Sequence, residues 1–557
     1  MAKKRSSGAR GKGPSPSVQA AAPKHPGYAD VTPWSYAVVA VAAFVMFAML
    51  FGWTATVPYL LAPVLTGVFV GLCIQSPLGS AAVAGGAGLF SAAASAGVFA
   101  MPALYNRAIA APPNTNNDIP GMLWQMVGAF MQRNPLNTMG QPTGMLLLLV
   151  VGAFGTSAVA WVTATLVRRH TGDQVKLRRY VAAGIVAVAC VSYAYSAVNA
   201  STEMIAYANQ EPVAGTYAFD PVVYLKTYYN MVHGQDYYTA LVSAAAGDTR
   251  VIADTKTGIK DGKSYGGWLW GPSAMRRPTI FYAWKYLAPG GTGGGVVYLA
   301  VIFSALALAV IWWGLVPYLS YRAAFVPIFA MPYVLLMTLG LNIFFPDYWA
   351  ALIAACALAL LMRRQWIAGA ATLLFAAAVR ETLGPSLAVL AALLVLVWLR
   401  SGRGREWLVR AGAFAAAAAL WFGFEKVHET IGARFMAVPY KSSFAFLWEI
   451  IRGWSLTQKV TGATQYLVFP YGLYAIPGMV TFLLAPVGFR AVLGSRKDVQ
   501  LVITGYAVFW IVFLFIVGAT SSYWGQALML PSLVGVACLL LSADRMDRRL
   551  EMTRPIA

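Results

Sequence analysis

Long apolar runs alternate with shorter polar segments along most of the chain. About fourteen of these runs approach the roughly 20 residues that an α-helix needs to cross a bilayer core. They lie at residues 34–54, 57–76, 80–101, 144–166, 180–199, 295–315, 321–342, 348–362, 365–379, 384–399, 408–424, 471–491, 499–517 and 524–541. The pattern predicts an all-α polytopic membrane protein with about 14 transmembrane helices.

The distribution of lysine and arginine predicts the orientation of these helices. With a cytoplasmic N-terminus and alternating spans, about 25 of the 41 Lys and Arg residues fall in cytoplasmic segments. The positive-inside rule expects this asymmetry, which places both termini in the cytoplasm. Residues 1–33 are basic and rich in Ser, Gly and Pro, and we expect a disordered cytoplasmic tail with no cleavable signal peptide.

Composition narrows the class of protein. Hydrophobic residues make up 59% of the chain and charged residues 11%, and the mean hydropathy is +0.63. Soluble domains carry about 25% charged residues, so a cytosolic enzyme and a disordered protein are excluded. The net charge of +21 follows from membrane topology and does not indicate nucleic-acid binding. Four cysteines inside apolar runs and four scattered histidines predict neither a disulfide framework nor a zinc site.

The chain divides into four predicted regions. They are a tail at 1–33, a four-helix transmembrane module at 34–179, a core at 180–400 and C-terminal transmembrane helices at 401–557. Three long segments fall on the extracytoplasmic side, at 102–143, 200–294 and 425–470. Because the cytoplasmic loops are short, we expect an extracytoplasmic active site. The Ala/Gly-rich composition favours a bacterial inner membrane.

The segment 200–294 carries the most informative polar chemistry. Residues 219–238 read FDPVVYLKTYYNMVHGQDYY, and their apolar and aromatic positions recur at helical spacing. This spacing predicts an amphipathic helix on the membrane surface. Asp220 precedes Pro221 at the start of that helix, where a capping aspartate is the alternative to a functional one. The segment returns to the membrane through RRPTIFYAWKYLAP, residues 276–289.

These motifs resemble those of the GT-C glycosyltransferases, polytopic enzymes that use polyprenyl-phosphate sugars. The resemblance rests on Asp220 with Tyr224, on the run 234–238 and on the segment 277–282. A second matching stretch has Asp347 before one span and Arg380-Glu381-Thr382 two spans later. It covers roughly residues 180–400, and it implies a GT-C-like core with an added N-terminal module. Asp220 stands alone, whereas paired acidic residues are common in the family.

The resemblance implies transfer of a monosaccharide from a polyprenyl-phosphate donor to a hydroxyl group. The acceptor would be a glycolipid, a cell-wall glycan or a protein. A carboxylate near the membrane surface can act as the general base that deprotonates this hydroxyl. Asp220 is the first candidate, and Glu203, Glu211 and Asp236 are its competitors.

A lipid phosphate requires cations at the interface, and arginine can bind phosphate through two hydrogen bonds. Arg380 lies near the end of an apolar span beside Glu381, where a self-neutralising pair is the alternative. Arg276 and Arg277 are further candidates, although both could instead extend to lipid headgroups. Lys441 is a fourth candidate, from the segment 425–470.

Supporting and acceptor-binding roles fall to residues near these candidates. They are Glu381, Asp347, Asp236, Glu203, Tyr224 and His233. His428 and Glu425, one turn apart, are predicted to lie on a solvated helix face. No motif requires a metal or another cofactor, although Asp220 and Asp347 could share a divalent cation.

Two other classes of function remain open. A lipid-linked sugar flippase or secondary transporter would favour midspan charges and repeated halves, and the sequence shows few of the former and no convincing repeat. A glycan ligase or polymerase would favour a strongly basic outer loop, whereas 425–470 is only modestly basic. The expected partners are the sugar donor, the acceptor and membrane lipids, without nucleic acid.

Overall fold

Helices account for nearly all of the ordered secondary structure. A computed structural model describes residues 37–41, 43, 61–74, 76–99, 150–210, 220–246, 259–260, 263–264, 276–338, 343–400, 404–435, 475–494, 496–517 and 526–542. Within these ranges the only strands are Ile259–Lys260 (β1) and Lys263–Ser264 (β2), which pair antiparallel. The predicted all-α class is therefore confirmed for the described part of the chain.

The α-helices are numbered here along the described residues. In chain order they are α1 (Leu61–Cys73), α2 (Pro77–Phe99), α3 (Thr156–Arg169), α4 (Gln174–Ala200), α5 (Thr202–Ala208), α6 (Asp220–Val232), α7 (Tyr237–Ala246), α8 (Thr279–Leu287), α9 (Gly293–Leu319), α10 (Phe325–Thr338), α11 (Pro346–Met362), α12 (Trp366–Val379), α13 (Gly384–Arg400), α14 (Arg405–Ala433), α15 (Ala475–Val492), α16 (Lys497–Val517) and α17 (Gln526–Leu540). Helical turns of other types are Val151–Gly155 (π) and Pro289–Gly291, Ser320–Ala324 and Glu381–Leu383 (3₁₀).

Four helical stretches of the described residues are long and apolar enough to cross a membrane. They are Gln174–Asn199, Gly293–Leu335, Glu381–Arg400 and Arg405–Ala433. These stretches fit an all-α membrane protein, as the hydropathy pattern predicts. The expected count of fourteen spans is not met.

Five further apolar helical stretches of 10–17 residues lie within the described residues. They are Leu61–Cys73, Pro346–Met362, Trp366–Val379, Thr481–Val492 and Ala527–Leu540. Both ends of Pro346–Met362 and of Trp366–Val379 are described, and at a rise of about 1.5 Å per residue these two helices cover less than the roughly 30 Å of a bilayer core. Hydropathy detects the apolar run but not the residue at which its helix ends. The predicted tail 1–33 and loop 102–143 lie outside the described residues.

Small residues bring the N-terminal helices into close contact. A Cβ atom at Gly67 of α1 would lie 2.8 Å from the carbonyl oxygen of Thr156, and one at Gly71 would lie 2.6 Å from that of Ala160. The four-residue spacing places both glycines on the face of α1 that meets α3. Larger side chains there would separate the two backbones, so the sequence specifies this packing through glycine.

Helix α11 lies at the centre of the bundle. Nearly all its residues are buried, and it packs against α9, α12 and α17. Beyond it, α13 packs against both α14 and α16, and α15 packs against α17. A side chain at Gly384 would collide with the indole of Trp421, so α13 approaches α14 closely at its first residue. The apolar side chains of these helices form one continuous core.

The direction of the helices defines two ends of the bundle. Helix α11 runs from Asp347 to Met362, α12 returns to Arg380, and α13 runs back to Arg400. We call the end that contains Asp347 and Arg380 the network end. The opposite end, which contains Arg400, is the basic end.

Helices α6, α7 and α8 gather near the network end. Helix α6 packs on α7 and α8, and α8 also contacts α12. The sequence predicts α6 as an amphipathic helix on the membrane surface, but Val222, Leu225 and Tyr229 are buried together with Tyr224 and Tyr228. Its aromatic side chains therefore pack inside the protein instead of facing lipid headgroups.

Candidate functional site

Three arginines and three carboxylates form a buried charge network at one end of the bundle. Arg276 and Arg277 immediately precede α8, and Arg380 and Glu381 form the connection between α12 and α13. Asp347 stands in the first turn of α11, where the helix dipole favours a negative charge, and Glu425 lies on α14. Four separate parts of the chain thus supply the charges, and we call these six residues the arginine network.

Arg380 is, together with Asp347, the most deeply buried member of the arginine network. Its Nε donates a hydrogen bond to Oδ1 of Asp347 at 2.6 Å, and its Nη1 donates to Oε1 of Glu381 at 2.7 Å. Side-chain exposure is 0% for both Arg380 and Asp347. A charge in such surroundings is stable only when it is paired, so this arginine fixes the end of α12 against the start of α11.

Arg277 joins α14 to the same centre. Its Nε donates to Oε1 of Glu425 at 2.8 Å, its Nη2 donates to Oε2 of the same carboxylate, and its Nη1 lies 3.9 Å from Oε2 of Glu381. This two-bond geometry is the one that matches a guanidinium to a carboxylate best. The segment before α8 is therefore fixed to α14.

Arg276 links the network to α6. Its Nε donates to the hydroxyl oxygen of Tyr224 at 2.7 Å, and its Nη1 lies 3.8 Å from Oε1 of Glu381. The hydroxyl of Tyr237 donates to the carbonyl oxygen of Arg276. Burial raises the pKa of Tyr237 well above its ordinary value, so the phenol keeps its proton and remains a donor at neutral pH.

The network contains three positive and three negative side chains, so its charges balance. The three arginines all approach one carboxylate. Glu381 is approached by all three guanidinium groups, at 2.7 Å, 3.8 Å and 3.9 Å. Its side chain is 14% exposed, whereas the exposure of the other five members is 6% or less. Its Oε2 accepts no hydrogen bond within the described residues. Glu381 is therefore the carboxylate that the three arginines approach together, and its side chain is the most exposed of the network.

A Tyr–His contact adjoins the network on the side of α14. The hydroxyl of Tyr238 lies 2.8 Å from Nδ1 of His428, and the Tyr238 ring stacks on Phe435 at 5.5 Å. Burial raises the pKa of Tyr238 to about 12, against the opposing effect of the positive charge on Arg277. The contact fixes the start of α7 to α14.

The structure corrects two expectations from the sequence. Glu425 and His428 are predicted on a solvated helix face, but they are 4% and 3% exposed, because α14 continues to Ala433 and packs against the arginine network. Arg276 and Arg277 are considered for contacts with lipid headgroups, but they are 2% and 1% exposed because carboxylates and Tyr224 bind them inside the protein. No local signal identifies Glu425, because a charge after an apolar run has the same sequence pattern on a solvated and on a packed helix face.

The remaining candidates are placed only in part. Asp220 begins α6 and Glu203 lies in α5, and the structure describes the backbone of each but not its side chain. Lys441 and Glu211 lie outside the described residues. His233 is exposed, and its Nδ1 lies 2.8 Å from the carbonyl oxygen of Tyr229.

The side chain of Asp236 caps the start of α7. Its Oδ1 accepts hydrogen bonds from the backbone amides of Tyr238 at 3.0 Å and Thr239 at 3.2 Å, which caps α7. Partial burial works to raise the pKa of Asp236, but hydrogen bonds from Thr239 and Tyr238 outweigh it, and the pKa lies below its ordinary value. The cap is therefore strongest when Asp236 is ionised.

We expect Asp236→Ala to destabilise the protein by about 1 kcal/mol at pH 7, because α7 loses its cap. The contribution of a carboxylate with a lowered pKa is complete above its unfolded pKa of about 3.9 and is lost as the pH falls through the folded value. Thermal unfolding of both proteins should therefore show a difference that narrows below about pH 4. Asp173→Ala, which removes the corresponding cap of α4, serves as a matched control at the basic end. A difference independent of pH would contradict the assignment.

No known family, curated protein or solved structure matches this chain. Among the described residues, no three His, Cys, Asp or Glu side chains gather as potential metal ligands. Function must therefore be argued from the arginine network itself.

Proposed function

We propose that the chain is a membrane glycosyltransferase of GT-C type, which transfers a monosaccharide from a polyprenyl-phosphate donor to an acceptor hydroxyl. The observation that carries this proposal is the convergence of Arg276, Arg277 and Arg380 on the carboxylate of Glu381. Three guanidinium groups around one anion are a suitable site for the phosphate of such a donor.

Glu381 occupies the place where we propose that the donor phosphate binds. Its contacts with Arg276 and Arg277, at 3.8 Å and 3.9 Å, are longer than hydrogen bonds, and its side chain is the most exposed of the network. Donor binding would displace this carboxylate toward solvent and keep the total charge around the arginines balanced. Asp347 and Glu425 would stay in place, because Asp347 is fully buried and Glu425 accepts two hydrogen bonds from Arg277.

The position of the network favours an interfacial donor over a transported solute. Asp347 is the second residue of α11, and Arg380 directly follows α12, so both lie at helix ends. Secondary transporters place their binding sites near the bilayer midplane, between discontinuous helices. A polyprenyl phosphate instead carries its charge at the membrane surface. We therefore also propose that the network end faces the extracytoplasmic side.

Asp220 is the general base in this proposal. It stands one helical turn before Tyr224, whose hydroxyl accepts a hydrogen bond from Arg276. Four residues of helix rise about 6 Å, so the start of α6 is one turn from the residue that binds Arg276. A base at this position would deprotonate the acceptor hydroxyl as it attacks the anomeric carbon, and the lipid phosphate would leave as an anion.

The proposal is tested with the purified full-length protein in lipid nanodiscs. Radiolabelled polyprenyl-phosphate sugars and a membrane lipid extract are supplied, and transfer of label to the extract is measured. The expected result is transfer from one class of donor. Movement of the sugar lipid across liposomes without any transfer would support a flippase instead, and transfer of whole glycans would support a ligase.

Glu381→Gln tests the phosphate site itself. The substitution keeps the size of the side chain and removes the competing negative charge, so we expect the donor to bind several-fold more tightly. Glu425→Gln is the matched control, because it makes the same chemical change at a carboxylate that the donor does not displace. Donor binding that weakens in Glu381→Gln, or that tightens equally in both variants, would contradict the proposed site.

A further inference from the structure

A groove at the basic end of the bundle has features of a second binding site. It has a volume of about 790 Å³ and lies between α13, α15 and α16. Helix α13 begins beside the arginine network and ends at Arg400 after 17 residues, a length of about 26 Å. The groove is therefore remote from the network.

Three cations from three helices border one end of the groove. They are Arg400 at the end of α13, Arg490 in the last turn of α15 and Lys497 in the first turn of α16. All three are exposed, and none forms an ion pair with another described residue. Three adjacent unpaired positive charges attract an anion.

One carboxylate also borders the groove, but its charge is already compensated. Both oxygens of Asp498 accept hydrogen bonds from Nη2 of Arg364, at 3.0 Å and 2.7 Å. The groove therefore keeps an excess of positive charge at this end.

The rest of the groove is mainly apolar, with Gln500 and Thr504 as its other polar residues. Leu501 and Val508 of α16 border it at helical spacing from Lys497, and Val397 of α13 borders it opposite. From Lys497 to Val508 the helix rises about 16 Å, so the groove passes from a charged end toward the apolar middle of the bundle. A ligand that fills it must have an anionic head and an apolar tail.

We propose that this groove binds an anionic phospholipid. The phosphate of the headgroup contacts Arg400, Arg490 and Lys497, and one acyl chain lies along Leu501, Val508 and Val397. Basic pockets between transmembrane helices recognise anionic headgroups in this way. The apolar wall distinguishes a lipid from free phosphate, which would gain nothing from it.

The test measures lipid binding to the delipidated full-length protein by native mass spectrometry. Phosphatidylglycerol and phosphatidylcholine with identical acyl chains are titrated separately, and inorganic phosphate is added as a competitor. We expect phosphatidylglycerol to bind roughly tenfold more tightly than phosphatidylcholine. We expect the triple variant Arg400→Gln, Arg490→Gln, Lys497→Gln to lose that preference.

The matched control is the triple variant Arg168→Gln, Arg169→Gln, Arg405→Gln, which removes the same charge from exposed positions outside the groove. It should keep the preference of the wild type. Equal binding of both lipids to the wild type, loss of the preference in the control, or retention of it in the groove variant would each overturn the proposal. Displacement of lipid by an equal concentration of inorganic phosphate would identify a site for a small anion only. The comparison of lipids on the wild type does not depend on the folding of any variant.

Discussion

Arg380→Met is expected to destabilise the protein by about 3–5 kcal/mol, because it leaves buried carboxylates without their partner. Arg380 donates hydrogen bonds to both Asp347 and Glu381 within the arginine network. Asp347 is 0% exposed and has one oxygen, Oδ2, with no hydrogen-bond partner in the described residues. It cannot reach water when the guanidinium is removed. Methionine keeps most of the length of the side chain, so the loss measures charge and hydrogen bonding more than volume.

The expected loss is measured as a lower midpoint of thermal unfolding in detergent. Arg410→Met is the matched control, because Arg410 pairs with Glu406, which is 79% exposed, and such surface pairs contribute about 0–1 kcal/mol. The double variant Arg380→Met, Asp347→Leu should recover part of the stability, since an apolar pair can replace a buried ion pair. Equal midpoints for Arg380→Met and Arg410→Met would show that the network does not hold the helices together.

The positions of the helices were predictable, because each apolar run is continuous and is bounded by polar residues. The run at 348–362 corresponds to α11, and the run at 384–399 corresponds to α13. The length of each helix was harder to predict from the sequence. Pro346 starts α11, and the turn at Arg363 and Arg364 ends it, so the helix has 17 residues. Hydropathy averaged over a window cannot register such local boundaries.

Five of the six members of the arginine network were candidates from the sequence, and Glu425 was not. The resemblance includes Arg277, Asp347, Arg380 and Glu381, and these residues are neighbours in space. The partner of Arg277 could not be predicted from the sequence, because Glu425 is separated from it by 148 residues and lies beyond the end of an apolar run. A charged residue there has the same local pattern whether the helix faces water or packs against another helix. Only the tertiary arrangement decides between the two.

Asp220→Asn is expected to lower the rate of sugar transfer by roughly 10²–10⁴-fold while donor binding stays unchanged. Asparagine has the same shape and still accepts a hydrogen bond from a backbone amide, so a purely capping role for Asp220 would be preserved. It cannot accept the proton of an acceptor hydroxyl. The rate and the donor affinity therefore separate the two roles, which thermal stability alone cannot do.

The matched control for this variant is Asp173→Asn, at the aspartate that caps α4 through Val175 and Lys176 at the basic end. It should transfer sugar at the rate of the wild type. An Asp220→Asn protein with full activity would remove Asp220 as the base, and the search would move to Glu203 and Glu211, which lie in the same segment between α4 and α6. The arginine network could still hold the donor in that case, because its contacts do not involve residue 220. The identity of the base and the identity of the phosphate site are thus tested independently.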